Sequence, residues 1–354
     1  MAEKRKILYV VEAFGGGVFT YIVDLANRLA DTFDIYIAFS IRKQTPNDFE
    51  KYFNKRIHLI EVKNFGRAID PISDVKAFFE LKNIAKNIDP DVIHLHSSKA
   101  GVLGRFAFDG KKVSLFYTPH GYSFLMKNQS IPKRLLYKAI EWISARRTCT
   151  TISCGEGEHK ETLKLTKRAV YVNNGVNIED LNKLIESIEI ENTQFSVFTL
   201  GRICYQKNPK LFNKVAEMLP DVKFVWIGDG ELRNELTSPN IEITGWVDRK
   251  TALEYSMRGS VFVLTSLWEG LPISLLEAMY MRKLCVVSDV IGNHDVIESG
   301  ENGYVCDSEK SFVGAIKTAL NCDVSNILNH AANDIETIYN TKTMAEKYSN
   351  IYRS

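Results

Sequence analysis

Short, almost wholly apolar runs that alternate with longer amphipathic segments constrain this chain more than any other feature of its sequence. In the first half the runs fall at 7–11, 35–39, 57–62, 92–95, 113–117, 150–153 and 170–173. In the second half they fall at 197–200, 223–227, 241–244, 261–265, 285–288 and 304–306. Strands without polar alternation are buried on both faces, which a parallel sheet covered by helices provides. The alternation therefore predicts βαβ units throughout and an α/β fold. The pattern restarts once. After NNGVNIED at 173–180 comes the charged stretch LNKLIESIEIENTQ, then a fresh strand ending in Gly201-Arg202. A linker is expected in that stretch, between two Rossmann-like domains, 1–182 and 183–335, that face each other across a cleft. A final helix in 336–354 is expected to pack back on the first domain.

At 354 residues, with 45% hydrophobic and 25% charged residues, the chain can fill two cores without a metal or disulfide staple. No run approaches the roughly 18–20 apolar residues that cross a bilayer. The start, MAEKRKILYVV, passes from charge straight into a strand and lacks a small-residue cleavage site, so no signal peptide is expected. The cysteines at 149, 154, 204, 285, 306 and 322 form no C-x-x-C pair. They read as free thiols in a reducing cytoplasm rather than as a zinc site. The basic excess is local: residues 101–150 hold nine Lys+Arg against two Asp+Glu.

In open parallel sheets ligands bind beyond the carboxyl ends of the strands, and the informative residues fall there. Gly15-Gly16-Gly17 separates the first strand from a helix, where glycines bring backbone amides close to an anion. A plain tight turn explains the same residues, and the spacing is not the G-x-G-x-x-G of dinucleotide binding. His94 and His96, two apart on a strand, share a face that could serve a metal. No acidic cluster completes a ligand set, so a structural role is expected. His120, in YTPHG, is either a polar turn residue or a group projecting into the cleft.

The second half is richer. Arg202 ends one strand and Lys207 precedes the next helix, so two cations five residues apart can converge on a diphosphate. Gly228-Asp229-Gly230 marks another tight turn. In EGLPISLLEAM, Pro272 suits the first helical turn, which leaves Glu269 in the preceding loop and Glu277 inside the helix. A glutamate buried there needs hydrogen-bond partners such as sugar or ribose hydroxyls; two solvated glutamates are the plain alternative.

In order along the chain, these segments resemble glycosyltransferase family 4, the retaining family of the GT-B fold. The matching pieces are FGGGVFTYIVDLA, HLHSSKAGVLGR, TPHG, NNGV, GRICYQKN, GDGEL and the E-x7-E of Glu269 and Glu277, followed by VIGNHDVIESGENGYV. Two departures are local. The Gly and Pro common after the second glutamate are absent from EAMYMRKLC, and Asp295 stands where the family has glutamate.

The resemblance implies a metal-independent hexosyltransferase whose second domain holds the nucleotide sugar and whose first holds the acceptor. It implies that Arg202 and Lys207 neutralise the departing diphosphate, helped by amides of Gly16, Gly17, Ile273 and Ser274. Glu277 would take the ribose hydroxyls, Glu269 with Gly270 and Leu271 the donor sugar, and His120 the sugar from across the cleft. UDP is the expected nucleotide on family breadth. No nucleophile is evident, which favours a front-face displacement over a covalent intermediate.

Residues 132–147, PKRLLYKAIEWISARR, are basic and aromatic. They read either as a peripheral membrane contact, with the enzyme at the inner face of the cell membrane, or as a packed helix with solvated charges. The expected partners are a nucleotide-diphosphate sugar and a glycan or polyprenyl-linked acceptor of a cell-surface polysaccharide pathway. No nucleic-acid motif is present. A sugar-nucleotide epimerase of the same fold and a non-catalytic nucleotide-sugar-binding subunit remain as alternatives.

Overall fold

The computed structural model describes residues 4–42, 44–66, 70–189 and 194–354. Residues 190–193 of the expected linker lie outside it. The chain divides into two units: one formed by Met1–Leu125, Gln129–Asn174 and Thr341–Ser354, the other by Met126–Asn128 and Gly175–Asn340.

The first unit runs β1 (Lys6–Phe14), α1 (Gly16–Leu29), β2 (Asp34–Ile41), β3 (His58–Glu61), α2 (Pro71–Ile88), β4 (Val92–His96), α3 (Ser98–Ala107), β5 (Ser114–Thr118), α4 (Ile131–Ser144), β6 (Thr150–Ser153), α5 (Glu156–Leu163) and β7 (Ala169–Tyr171). The second runs α6 (Ile178–Glu186), β8 (Ser196–Leu200), α7 (Pro209–Glu217), β9 (Lys223–Ile227), β10 (Ile241–Ile243), α8 (Arg249–Arg258), β11 (Val261–Leu264), α9 (Ile273–Tyr280), β12 (Leu284–Ser288), β13 (Tyr304–Cys306), α10 (Glu309–Asn321) and α11 (Ser325–Thr337). The last helix, α12 (Thr341–Arg353), belongs to the first unit, where it packs on α1.

Every apolar run forms a strand, and every strand pairing is parallel. The sheets are ordered β3-β2-β1-β4-β5-β6-β7 and β10-β9-β8-β11-β12-β13. Each is Rossmann-like, as the apolar strands require. Alternate residues of β1 serve the two faces: Ile7, Tyr9 and Val11 join α1 and α12, whereas Leu8 and Val10 join α2 and α3. The polar stretch after 175 is not a loose linker where it is described. In α6, Leu181 is buried and Asn182 accepts a hydrogen bond from the Tyr280 hydroxyl of α9 at 2.8 Å.

Helix α4 is held in an unusual way. Its fully buried residues are Glu141 and Ser144. Glu141 pairs with the buried Arg105 of α3 at 2.6 Å and accepts from the Tyr117 hydroxyl at 2.9 Å. The Arg105 guanidinium lies over the Tyr117 ring, 4.3 Å from its centre. Of the cysteines, all six are free; four are buried, Cys204 is half-buried and Cys322 exposed.

Removing one partner of a buried ion pair leaves an uncompensated charge. Glu141→Ala is therefore expected to cost about 3–5 kcal/mol of stability, read as a lowered denaturant midpoint. A loss typical of a surface residue would show that Arg105 finds another partner.

Candidate functional site

Each sheet has one place where the chain stops adding strands on one side and begins again on the other. In the first unit it lies between β1 and β4, in the second between β8 and β11. The loops leaving the two strands diverge there and open a crevice at the carboxyl ends. The residues expected from the sequence fall beside these two points.

In the second unit the loop after β8 is laced to the loop after β11. Leu267 N donates to Gln206 O at 2.8 Å, Thr265 Oγ1 to Lys207 O at 2.8 Å, and Gln206 Nε2 to Trp268 O at 2.9 Å. Across this seam Lys207 Nζ meets Glu269 Oε1 at 2.8 Å, and Gln206 Nε2 reaches Glu269 Oε2 at 3.3 Å. Glu269 is buried on Gly292, where a Cβ would stand 2.1 Å from Gly270 O and 3.2 Å from Glu269 Cβ. Only glycine permits so close an approach, and the backbone there (φ 86°) favours glycine as well.

Pro272 caps α9 rather than entering its first turn. Ile273 and Ser274 therefore open the helix, and their N–H groups precede its hydrogen-bonded ladder. Gly270 stands half-exposed and Leu271 buried on the way in. Glu277 lies deeper in α9, buried, and accepts from Arg249 Nη2 at 2.8 Å. Both glutamates of the E-x7-E pair are thus buried carboxylates bound to cations, not solvated ones. Arg202 and Lys207 do not share a partner: Arg202 Nε meets Glu231 Oε2 at 2.9 Å, and both of those groups are exposed. Sequence reasoning missed Gln206, Glu231 and Arg249. The last could have been found from Asp248, a helix cap at the mouth of a strand-end loop.

In the first unit the three glycines differ. Gly15 caps α1, and a Cβ there would meet Gln44 Cβ at 2.9 Å, whereas Gly16 requires φ 56°. Gly16 and Gly17 are exposed, with open space around them. On β4 and just after β5 lies an imidazole cluster, in which His94 and His96 are buried and His120 half-buried. His94 Nδ1 meets the Tyr352 hydroxyl at 2.5 Å and its Nε2 meets Thr118 Oγ1 at 2.8 Å, so neither nitrogen is left for a metal. His96 Nδ1 lies 3.0 Å from His120 Nε2, and His120 Nδ1 lies 3.4 Å from Cys154 Sγ. The Tyr21 ring meets His120 edge-on at 4.7 Å, and its hydroxyl pairs with that of Tyr348 at 2.5 Å. The tyrosines of α12 were invisible to motif reading. Burial pushes His94 and His96 well below the usual histidine range and His120 down to about 3. Among the described residues no group of three or more His, Cys, Asp or Glu side chains could hold a metal ion.

Comparison with known proteins covers both units. Residues 15–180 match the family model described as Glycosyltransferase Family 4, and residues 180–338 the one described as Glycosyl transferases group 1. The chain is 30% identical over 337 residues to the UDP-Gal:alpha-D-GlcNAc-diphosphoundecaprenol alpha-1,3-galactosyltransferase of Escherichia coli, covering 85% of each. It is 27% identical over 335 residues, 89% of each, to the GalNAc-alpha-(1->4)-GalNAc-alpha-(1->3)-diNAcBac-PP-undecaprenol alpha-1,4-N-acetyl-D-galactosaminyltransferase of Campylobacter jejuni. Sucrose-phosphate synthase of Thermosynechococcus elongatus is similar in structure, with a TM-score of 0.81 at 16% identity over 99% of this chain and 98% of that one. Anabaena HepE in complex with UDP and glucose gives 0.75 at 15% identity over 98% of each. At these identities the structural likeness speaks for the fold.

A histidine held neutral by burial has a folded pKa below its unfolded value near 6.5. Its contribution to stability is complete above that pH and is lost as pH falls below it. Between pH 6.5 and 5, His120 alone is expected to cost up to about 2 kcal/mol. Calorimetry should show a melting temperature that falls over this interval, and less steeply in His120→Gln. Parallel profiles for the two proteins would contradict it.

Proposed function

Because the chain belongs to glycosyltransferase family 4, we propose that it transfers a hexose-type sugar from a nucleotide diphosphate, UDP first, to a polyprenyl-diphosphate-linked glycan. The transfer retains the anomeric configuration and serves cell-surface polysaccharide synthesis. The names of the Escherichia coli and Campylobacter relatives support the lipid-linked acceptor, and the former supports UDP. The observation that carries the reading is the Lys207–Glu269 pair, 2.8 Å apart at the point where the strand order of the second unit reverses.

A diphosphate drawn to this crevice meets Lys207 as a point charge and Arg202 as a fork, with the opening amides of α9 at Ile273 and Ser274 beside them. Lys207 then exchanges a carboxylate for a phosphate oxygen, which frees Glu269 for the hydroxyls of the donor sugar along Gly270 and Leu271. Glu277, steadied by Arg249, accepts from the ribose hydroxyls. From the family resemblance, the first unit is proposed to add the amides of Gly16 and Gly17 to the diphosphate and His120 to the transferring sugar. Cations and amides fixed before the reaction stabilise the charge that develops on the leaving group. The acceptor hydroxyl oxygen bonds to the anomeric carbon on the face that the diphosphate leaves. The carbon–oxygen bond to phosphate breaks, and the hydroxyl proton passes to the departing phosphate oxygen. No metal enters these steps.

The test is a transfer assay in chelator with UDP-, dTDP-, GDP- and ADP-sugars and a short polyprenyl-diphosphate glycan. One nucleotide sugar is expected to react, and Lys207→Ala and Arg202→Ala are each expected to lower kcat by about 10²–10³-fold. Wild-type rates in both variants would remove the diphosphate role. Tight nucleotide-sugar binding without transfer or hydrolysis would favour the non-catalytic subunit.

We further propose that the enzyme meets its acceptor at an anionic membrane surface through α4. The inward Glu141 leaves the opposite face of the helix to apolar residues: Ile131 and Leu135 are 71% and 62% exposed, and Leu136, Trp142 and Ile143 are about half exposed. Lys133, Lys138 and Arg146 flank them. Such a face suits the boundary between headgroups and acyl chains. Sedimentation with vesicles containing phosphatidylglycerol should capture the wild type, and Leu135→Glu with Trp142→Glu should abolish capture. Equal sedimentation of the variant would remove the membrane role.

A further inference from the structure

His120 lies in a left-handed backbone conformation, with φ 54°, which residues with a side chain adopt uncommonly. One buried carboxylate is tied to the turn that carries it. Glu158, 1% exposed in α5, accepts from the backbone N–H of Gly121, the residue after His120, at 2.6 Å through Oε1. Through Oε2 it accepts from the N–H of Cys154 at 2.8 Å. The second bond has a local explanation, since a glutamate in the first turn commonly reaches back past its helix cap. The first has none in helix capping. It joins the turn after β5 to the turn after β6, which brings Cys154 Sγ to 3.4 Å from His120 Nδ1.

We propose that Glu158 is a positioning residue for His120, clamping the two turns so that the imidazole is fixed between His96 and Cys154. Its importance for transfer rests on the contact of His120 with the donor sugar proposed above. Burial and the neighbouring Glu158 push the Cys154 thiol up, so it stays protonated and meets His120 as a neutral group.

Glu158→Gln keeps the volume but offers one acceptor oxygen to two N–H groups. The experiment reads the His120 ring signal in protein labelled with ¹³C-histidine, assigned by its loss in His120→Gln, alongside steady-state transfer. The expected result is a displaced His120 signal and a kcat reduced about 10- to 100-fold, with the KM for the nucleotide sugar little changed. An unmoved signal in folded Glu158→Gln overturns the proposal. A displaced signal with wild-type kcat supports the clamp and removes His120 from the reaction. A wild type that transfers no sugar leaves the ring signal to decide the clamp alone. Should Glu158→Gln fail to fold, Glu158→Asp, one methylene short of spanning both turns, is read in the same way.

Discussion

A parallel sheet covered on both faces gives polar side chains only its two edges to occupy. In both units the strands are mainly apolar, and buried polar residues such as Glu12, His96, Thr118 and Ser153 fall toward their carboxyl ends, so the chemistry gathers at those ends and in the loops that leave them. The reversal of strand order then selects among those loops. Only where two neighbouring strands send their connections in opposite directions is there room for a ligand, and there the two units hold their glycines, histidines, cations and carboxylates. Lys207 and Glu269 are neighbours because β8 lies beside β11, not because they are close in sequence.

Four of the buried glutamates, Glu141, Glu158, Glu269 and Glu277, show how such a site is kept in order. A carboxylate removed from water must find donors, and each of these finds them on a different piece of chain. Glu141 joins α4 to Arg105 and Tyr117. Glu158 joins the turns after β5 and β6. Glu269 joins the loops after β8 and β11, and Glu277 joins α9 to α8. They differ in what they face. Arg105 and the Cys154 amide are buried and the Gly121 amide partly so, and these Glu158 bonds run to backbone N–H groups rather than to a cation, so those bonds serve structure. Lys207 and Arg249 are 17% and 39% exposed, so a ligand can compete for them. That difference separates carboxylates that hold the fold from carboxylates that can exchange a cation for a hydroxyl.

The helices at the margins of the first unit carry a parallel lesson. α12 returns from the far end of the sequence to place Tyr348 and Tyr352 over the imidazole cluster. The Tyr352 hydroxyl satisfies His94 Nδ1 and the Tyr348 hydroxyl that of Tyr21; a buried polar group left without a partner costs about 1–3 kcal/mol. α4 does the reverse. It is anchored by charge inside and presents apolar side chains outside, an inversion that ordinary solvent exposure does not explain.

Much of this was legible in the sequence. Unbroken apolar runs identified the strands, their restart after 173–180 identified two sheets, and the spacing of Glu269 and Glu277 put one before a helix and one inside it. These are local properties, set by side-chain periodicity and turn chemistry within a few residues. The partners were not legible. That Arg202 turns to Glu231, that Arg249 holds Glu277, and that Glu158 bridges two turns around His120 depend on which strands lie side by side. The alternation of strands and helices fixes how many layers form, not the order in which parallel strands assemble. The sequence by itself therefore determined the class of fold and the candidate chemical groups. Tertiary structure decided which groups meet, because burying a charge is tolerable only beside a partner, and strand order chooses that partner.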